Sequence, residues 1–370
     1  MKKMFEIEEQ LRTLLRLEFW GNIRLAGGVW VLLLVGRGFS LFQVGVAEAF
    51  FHVVSFCCEV PSGMLADVLG RRRTLIASQT MFACSAAAMM LSQSMAGVCL
   101  AMALNAMAYN LASGTREAIT YDSLLQAGRE RDYLRISSLQ NTLWRGAQAL
   151  STLCAGAAAA LGYVRGYGVD LLLSLLAAAL TCRLAEPEVT DAQRARSRPA
   201  LRDLPERLEN CGREALGFLA AHPRTVGLML FNALVGACAT LLRFFLQDAL
   251  VRAGAPSALL GPLLLLIELG GVAGARLALP LSRLSYRRAG ALCAVGVAVG
   301  CLMPLTGAVH LMAAGGLLAV ACDDALETLT GSRLNENLPS DQRATLISVS
   351  SMAFSLVMIA LAPMAGGLAA

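Results

Sequence analysis

The sequence predicts an all-helical, polytopic membrane protein built as two pseudo-symmetric six-helix bundles. Three observations carry that prediction. Hydrophobic residues make up 56% of the chain and charged residues 15%, and mean hydropathy is +0.61. A soluble domain carries about a quarter charged residues, so this chain lacks the polar surface to cover itself in water. The apolar residues also arrive in runs that suit transmembrane helices, which need about 20 residues because every backbone amide must be paired within the segment. Finally, a basic stretch over 185–223 separates an earlier group of runs from a later one.

The first element is residues 1–16, rich in Lys, Arg and Glu, with Met4, Ile7, Leu11, Leu14 and Leu15 at helical spacing. It lacks the apolar core of a signal peptide and reads as a short helix on the cytoplasmic membrane surface. Eleven spans follow. Six, at 17–35, 44–60, 74–92, 97–118, 136–161 and 167–184, form the amino-terminal bundle over 17–184. Five, at 225–246, 259–282, 289–306, 309–329 and 346–367, form the carboxy-terminal bundle over 224–370. Between them, the 185–223 linker holds Leu201, Leu204, Leu208, Cys211, Ala215 and Leu219 at helical intervals, so part of it is expected on the membrane surface. It reads as a tether; binding of anionic lipid or a partner protein is the other reading.

Arginine placement orients the spans. Arg71–Arg73, then Arg129, Arg131 and Arg135, then Arg283, Arg287 and Arg288, then Arg333 and Arg343 share one side, whereas the other offers little beyond Arg37, Arg165 and Arg252. The arginine-rich side is read as cytoplasmic, with the amino terminus inside, in the cell (inner or plasma) membrane. The net charge of +5 therefore marks a membrane side. Nucleic acid would need one dense basic patch with interleaved aromatics. Eleven cysteines lie scattered without CxxC or His/Cys spacing, so they read as small hydrophobes, and neither metal nor cofactor is expected.

Faint internal echoes support duplication. Arg135-Ile136-Ser137-Ser138 opens the fifth span and Arg343-Ala344-Thr345-Leu346-Ile347-Ser348 the eleventh. The loops after the second and eighth spans share Arg71-Arg72 and Arg287-Arg288 at matching offsets. By that symmetry a twelfth span would be expected: either that last helix is missing from these 370 residues, or the chain ends on the outer side.

The segment joining the second and third spans, Glu59-Val60-Pro61-Ser62-Gly63-Met64-Leu65-Ala66-Asp67-Val68-Leu69-Gly70-Arg71-Arg72-Arg73, is specific. A helix-end Gly63 would let a neighbour pack closely, Gly70 permits a tight turn, and Arg71, Arg72 and Arg73 hold the loop at headgroups. It resembles the signature loop of the major facilitator superfamily. That resemblance implies two helical bundles and transport of a small molecule by alternating access. It also implies that Asp67 docks at the amino end of the eleventh helix near Thr345, and that Arg71 pairs with an acid ending the fourth helix, here Asp122. Such contacts would close the cytoplasmic side. The second half has Arg283 in place of the aspartate. The fourth span lacks the mid-helix arginine of proton-coupled drug exporters, and the fifth lacks the antiporter Gly-Pro motif.

Ionisable groups inside hydrocarbon cost at least ~2.5 kcal/mol each and are candidate functional groups. Glu48, His52, Ser55 and Glu59 share one face of the second span. They line a cavity, or Glu48 and His52 simply satisfy each other. Glu268 lies about 14 Å into the eighth span among apolar neighbours and is either a proton carrier or an interhelical hydrogen-bonding group. Asp323 and Glu327 share a face of the tenth span beside Asp324, and are expected to bind a cation or to pair with Arg145 or Arg24. Glu117 joins them as a cavity candidate, while Arg243 and Arg276 are expected to snorkel from span ends.

Together these readings predict a monomeric secondary transporter of a small-molecule solute in the lipid bilayer, coupled to protons and exporting hydrophobic or drug-like compounds. The alternatives are uptake or facilitated diffusion of a polar nutrient, or a non-transporting sensor or docking protein. No GxSxG elbow, phosphate loop or HExxH supports an enzyme.

Overall fold

The computed structural model describes residues 6–187, 206, 209, 213, 217, 220–337 and 343–369, with only the backbone at 67, 335–337 and 343–347. The Leu201, Leu204, Leu208, Cys211, Ala215 and Leu219 positions of the expected surface segment and the Thr345 side chain therefore lie outside the described residues. All regular structure among those described is helical. In chain order the helices are α1 (Ile7–Trp20), α2 (Trp30–Val35), α3 (Leu41–Leu69), α4 (Arg71–Leu91), α5 (Met95–Ala112), α6 (Thr115–Gln126), α7 (Tyr133–Leu153), α8 (Ala155–Leu161) and α9 (Tyr163–Arg183). After the basic stretch come α10 (Pro223–Arg252), α11 (Ser257–Leu281), α12 (Tyr286–Leu302), α13 (Val309–Asn337) and α14 (Arg343–Ala369).

Nine segments among the described residues are long and apolar enough to cross a membrane. The two expected spans that fall outside this set, 17–35 and 136–161, are interrupted. In the first, α1 stops at Trp20, where the Asn22 amide folds back to the Glu18 carbonyl at 2.6 Å and the Glu18 carboxylate at 3.0 Å. The chain resumes as a short turn of 3-10 helix, Gly27–Val29, and then α2. In the fifth, Cys154 separates α7 from α8. The helix expected over 1–16 is described from Ile7 onward. Helix α1 runs across that boundary, and its Leu14 and Leu17 are buried with Leu75, Ile119, Ala177 and Leu184. The fourth span divides at Gly114, whose left-handed φ of +70° separates α5 from α6.

The chain forms two compact units. One comprises Met1–Gly28, Cys57–Ser151 and Val164–Arg213; the other comprises Val29–Phe56, Thr152–Tyr163 and Glu214–Ala370. Residues 29–56 and 152–163 thus group with the later half of the chain. In the first unit α4 and α5 are tied by hydroxyls: Ser78 Oγ donates to the Ala108 carbonyl at 2.7 Å, and Ser85 Oγ to the Ala101 carbonyl at 2.8 Å. Such bonds matter where hydrocarbon offers no hydrophobic drive between helices. In the second unit small residues do the same work by close approach. A Cβ at Gly270 would lie 2.5 Å from the Leu317 carbonyl oxygen, so α11 and α13 meet backbone to backbone. Val235, Ala239, Cys293, Val297, Ala319, Ala325 and Leu326 fill the space between α10, α12 and α13.

Candidate functional site

The basic loop begins where α3 ends. Gly70 has φ +99°, a conformation that L side chains rarely adopt, and α4 opens directly at Arg71. The first amides of a helix lack intrahelical acceptors and favour an anion. That anion is Glu186, whose carboxylate oxygens accept the backbone N–H of Arg71 at 2.7 Å and of Arg72 at 2.8 Å. The Arg72 guanidinium donates to the Cys182 carbonyl at 2.7 Å. Arg71 Nε lies 3.8 Å from Asp122 Oδ2, both side chains being partly buried, which is an electrostatic contact rather than a hydrogen bond. Arg73 is exposed. The close packing expected at Gly63 is corrected: a Cβ there would meet no atom within 4 Å. Docking of Asp67 against Thr345 rests on side chains outside the described residues.

Glu48, His52 and Ser55 are all buried, and Glu59 is half-buried. His52 Nε2 lies 3.3 Å from Glu48 Oε1, and its Nδ1 lies 3.3 Å from Ser355 Oγ on α14. The ring is held edge-on by Phe51 and Phe354, at centroid distances of 5.2 and 5.6 Å. Both ring nitrogens are therefore engaged, one by an acid and one by a hydroxyl that either donates or accepts. This arrangement lies within the second unit.

The same unit holds Glu268, near the middle of α11. Its neighbours in sequence are apolar, yet it is paired: Arg243 Nη1 donates to its two oxygens at 3.0 and 3.2 Å. Arg243 therefore does not snorkel. It lies about two and a half turns before the end of α10, too far inside for its stem to reach the interface when an acid is beside it. Trp30 packs edge-on against Phe244, next along α10, at 5.7 Å. The acidic residues of α13 diverge. Asp323 faces Gly236 of α10, where Phe354 also packs, whereas Asp324 packs against Gly271 and Gly274 of α11. Glu327 is exposed.

In the first unit the candidates shift to residues that sequence reasoning passed over. Glu117 is exposed, and Arg145 is exposed on its neighbour Trp144, 5.8 Å from the ring centroid. The residue before Glu117 points inward instead: Arg116 Nη1 donates to Glu18 Oε1 at 3.2 Å and to Asn22 Oδ1 at 3.1 Å. The expected pairing of Arg24 with the α13 acids is likewise corrected. Its charge is balanced by Asp170 of α9, and its guanidinium lies over the Phe82 ring, 4.7 Å from the centroid. Asp170 was the visible signal, being the single acid within the sixth span.

A family model of the Major Facilitator Superfamily matches residues 19–363. No curated protein sequence matches the chain. Among solved structures, the fold is similar to that of the nucleoside transporter NupG, at 16% identity over 98% of this chain and 91% of that one, with a TM-score of 0.73. It is also similar to a bacterial homolog of the human lysosomal transporter Spinster, at 16% identity over 97% and 81%, with a TM-score of 0.70. A D-xylose-proton symporter is matched at 12% identity over 97% and 89%, with a TM-score of 0.65. At such identities the likeness is one of fold. The family match, by contrast, runs through both groups of spans and the basic stretch between them, so the chain belongs to the major facilitator superfamily and is a multi-pass membrane transporter rather than an enzyme.

Proposed function

We propose that this transporter moves a small polar solute by alternating access and couples the movement to protons through Glu48, His52 and Ser355. The observation that carries the reading is the His52 ring, which bridges an acid on its own helix and a hydroxyl on α14. Imidazole is the side chain suited to gaining and losing a proton near neutral pH. Protonation strengthens its contact with Glu48 and turns Nδ1 from an acceptor of the Ser355 hydroxyl into a donor to it, so the charge state of one ring alters how two helices are joined.

Export of hydrophobic compounds asks for apolar walls with a few charges. The Glu48–His52 and Arg243–Glu268 pairs favour a polar or charged solute instead, in either direction. The loop at 63–73 is read as a cytoplasmic gate, with Arg71 held near Asp122. The arginine count supports a reading with the loop and the amino terminus on the cytoplasmic side of the cell membrane.

The test is proton movement in liposomes containing the purified protein and a trapped pH dye, challenged with sugars, nucleosides, amino acids and small carboxylates. The expected result is a solute-dependent pH change that falls at least tenfold in His52→Ala while solute counterflow persists. Solute flux with no accompanying proton movement in the unaltered protein would overturn the coupling.

A further inference from the structure

The broken first span is expensive at membrane depth, because backbone N–H groups freed there have no water to turn to. Three are satisfied by side chains of the same unit. Asp170 accepts from Leu25 N–H at 2.5 Å and from Gly27 N–H at 2.8 Å, and Ser151 Oγ accepts from Arg24 N–H at 3.0 Å. The break is therefore built, and its product is the placement of Arg24.

The Arg24 guanidinium is only partly used. Its Nη1 donates to the neighbouring Ile23 carbonyl at 2.9 Å, and one face lies on Phe82. Among the described residues no acceptor lies within hydrogen-bond reach of Nε or Nη2. Asp170 balances the charge at a distance while both of its oxygens serve the backbone. A second cation is nearby, but Arg116 is neutralised by Glu18 at 3.2 Å.

A separate observation falls one turn away on α4 and α9. Gln79 and Ser174 are fully buried, and neither the Gln79 amide nor the Ser174 hydroxyl has a partner among the described residues. Interiors rarely leave such groups unpaired. Their register is informative. Leu75 of α4 and Ala177 of α9 pack together with Leu17 of α1. One turn further along, α4 carries Gln79 and α9 carries Ser174; a turn beyond those come Phe82 and Asp170, which hold the break. Two helices thus carry unpaired buried polar groups one turn from the residues that hold the break.

We propose that Arg24, with Phe82 behind it, is a binding residue for a small organic carboxylate, and that Gln79 and Ser174 are placed for its uncharged polar groups. A planar guanidinium with free Nε–H and Nη2–H groups matches a carboxylate in a two-pronged geometry. One guanidinium offers a single two-pronged donor face, which suits one carboxylate rather than a dianion such as phosphate. That the bound carboxylate is also the cargo rests on the transport reading above; the binding itself does not.

The experiment uses the full chain in detergent and benzoate as the probe, with benzamide as its uncharged isostere. Phenylglyoxal modification of Arg24 is followed by peptide mass spectrometry, with the exposed Arg213 as the internal control. Benzoate is expected to slow modification of Arg24 at least fivefold and to leave Arg213 unchanged, while benzamide does neither. Calorimetry should show benzoate affinity falling at least tenfold in Arg24→Gln and less in Arg24→Lys, which keeps the charge without the fork. Equal protection by benzoate and benzamide, or an Arg24 that never reacts, overturns the site, and both are read on the unaltered protein. Protection at Arg24 without benzoate flux in liposomes would leave the site standing and remove benzoate-like carboxylates as cargo.

Discussion

The Glu186 carboxylate accepts the Arg71 backbone N–H at 2.7 Å, so the residue just past α9 caps the first turn of α4. Arg72 N–H binds the other oxygen at 2.8 Å. The junction between α3 and α4 is thus fixed by an anion on a helix terminus as well as by the turn at Gly70.

Loss of that cap should be measurable. Glu186→Ala should lower stability by about 1–2 kcal/mol, the usual worth of a charged cap at a helix amino end. Glu186→Gln, which keeps an acceptor but no charge, should lose less. Thermal unfolding followed by tryptophan fluorescence checks the order, and equal midpoints for all three proteins would contradict it.

Arg71 and Asp122 are 3.8 Å apart and partly buried, so their coupling should be modest, roughly 0.5–1 kcal/mol. A double-mutant cycle of Arg71→Ala and Asp122→Asn on flux or on unfolding should be non-additive by that amount. Strict additivity would show that the two act independently.

Arg243 and Glu268 form a doubly bonded pair whose side chains are 36% and 37% exposed. Removing one partner leaves the other charge inside the membrane, so Arg243→Ala or Glu268→Ala should each cost more than the double substitution. The gap should be about 1–2 kcal/mol, below the value for a fully buried pair because of partial exposure. A double variant weaker than either single would contradict it.

Gly63 and Gly270 should respond oppositely to enlargement. Gly63→Ala adds a methyl to open space within a helix and should be neutral or stabilising by about 0.5–1 kcal/mol. Gly270→Val drives a side chain into the Leu317 carbonyl and should sharply reduce the yield of folded protein. Folded yield by size-exclusion chromatography is the readout, and a damaging Gly63→Ala would restore the packing role expected from the motif.

Within the second unit, Ser355→Ala should weaken proton-coupled flux less than His52→Ala, because it removes one contact of the ring and leaves Glu48 in place. Proton flux in liposomes at fixed solute distinguishes the two. Equal losses would make the hydroxyl as important as the ring.

The legible parts of the molecule share a feature: their cause is local. The nine apolar helices among the described residues and the turn at Gly70 follow from composition over a few neighbouring residues. Glu48 and His52, four apart on one helix, were likewise readable as a pair. Arg71 beside Asp122 came from the motif's resemblance. The interruption at Cys154 was not readable, because the apolar run continues through it, and although Gly21, Asn22 and Arg24 break the run at 21–26, nothing beside them announces the distant Ser151 and Asp170 that satisfy the break.

Alone, the sequence determined that this chain crosses a membrane many times, and it marked the basic loop, since transfer of a side chain from water to hydrocarbon depends on that side chain. Only the tertiary structure decided which charges meet. Arg243 found Glu268 across two helices, and Asp170 found the backbone of Leu25 and Gly27 from far along the chain. Inside a membrane a charge takes whatever partner the packing brings within about 3 Å, and packing is a property of the whole fold.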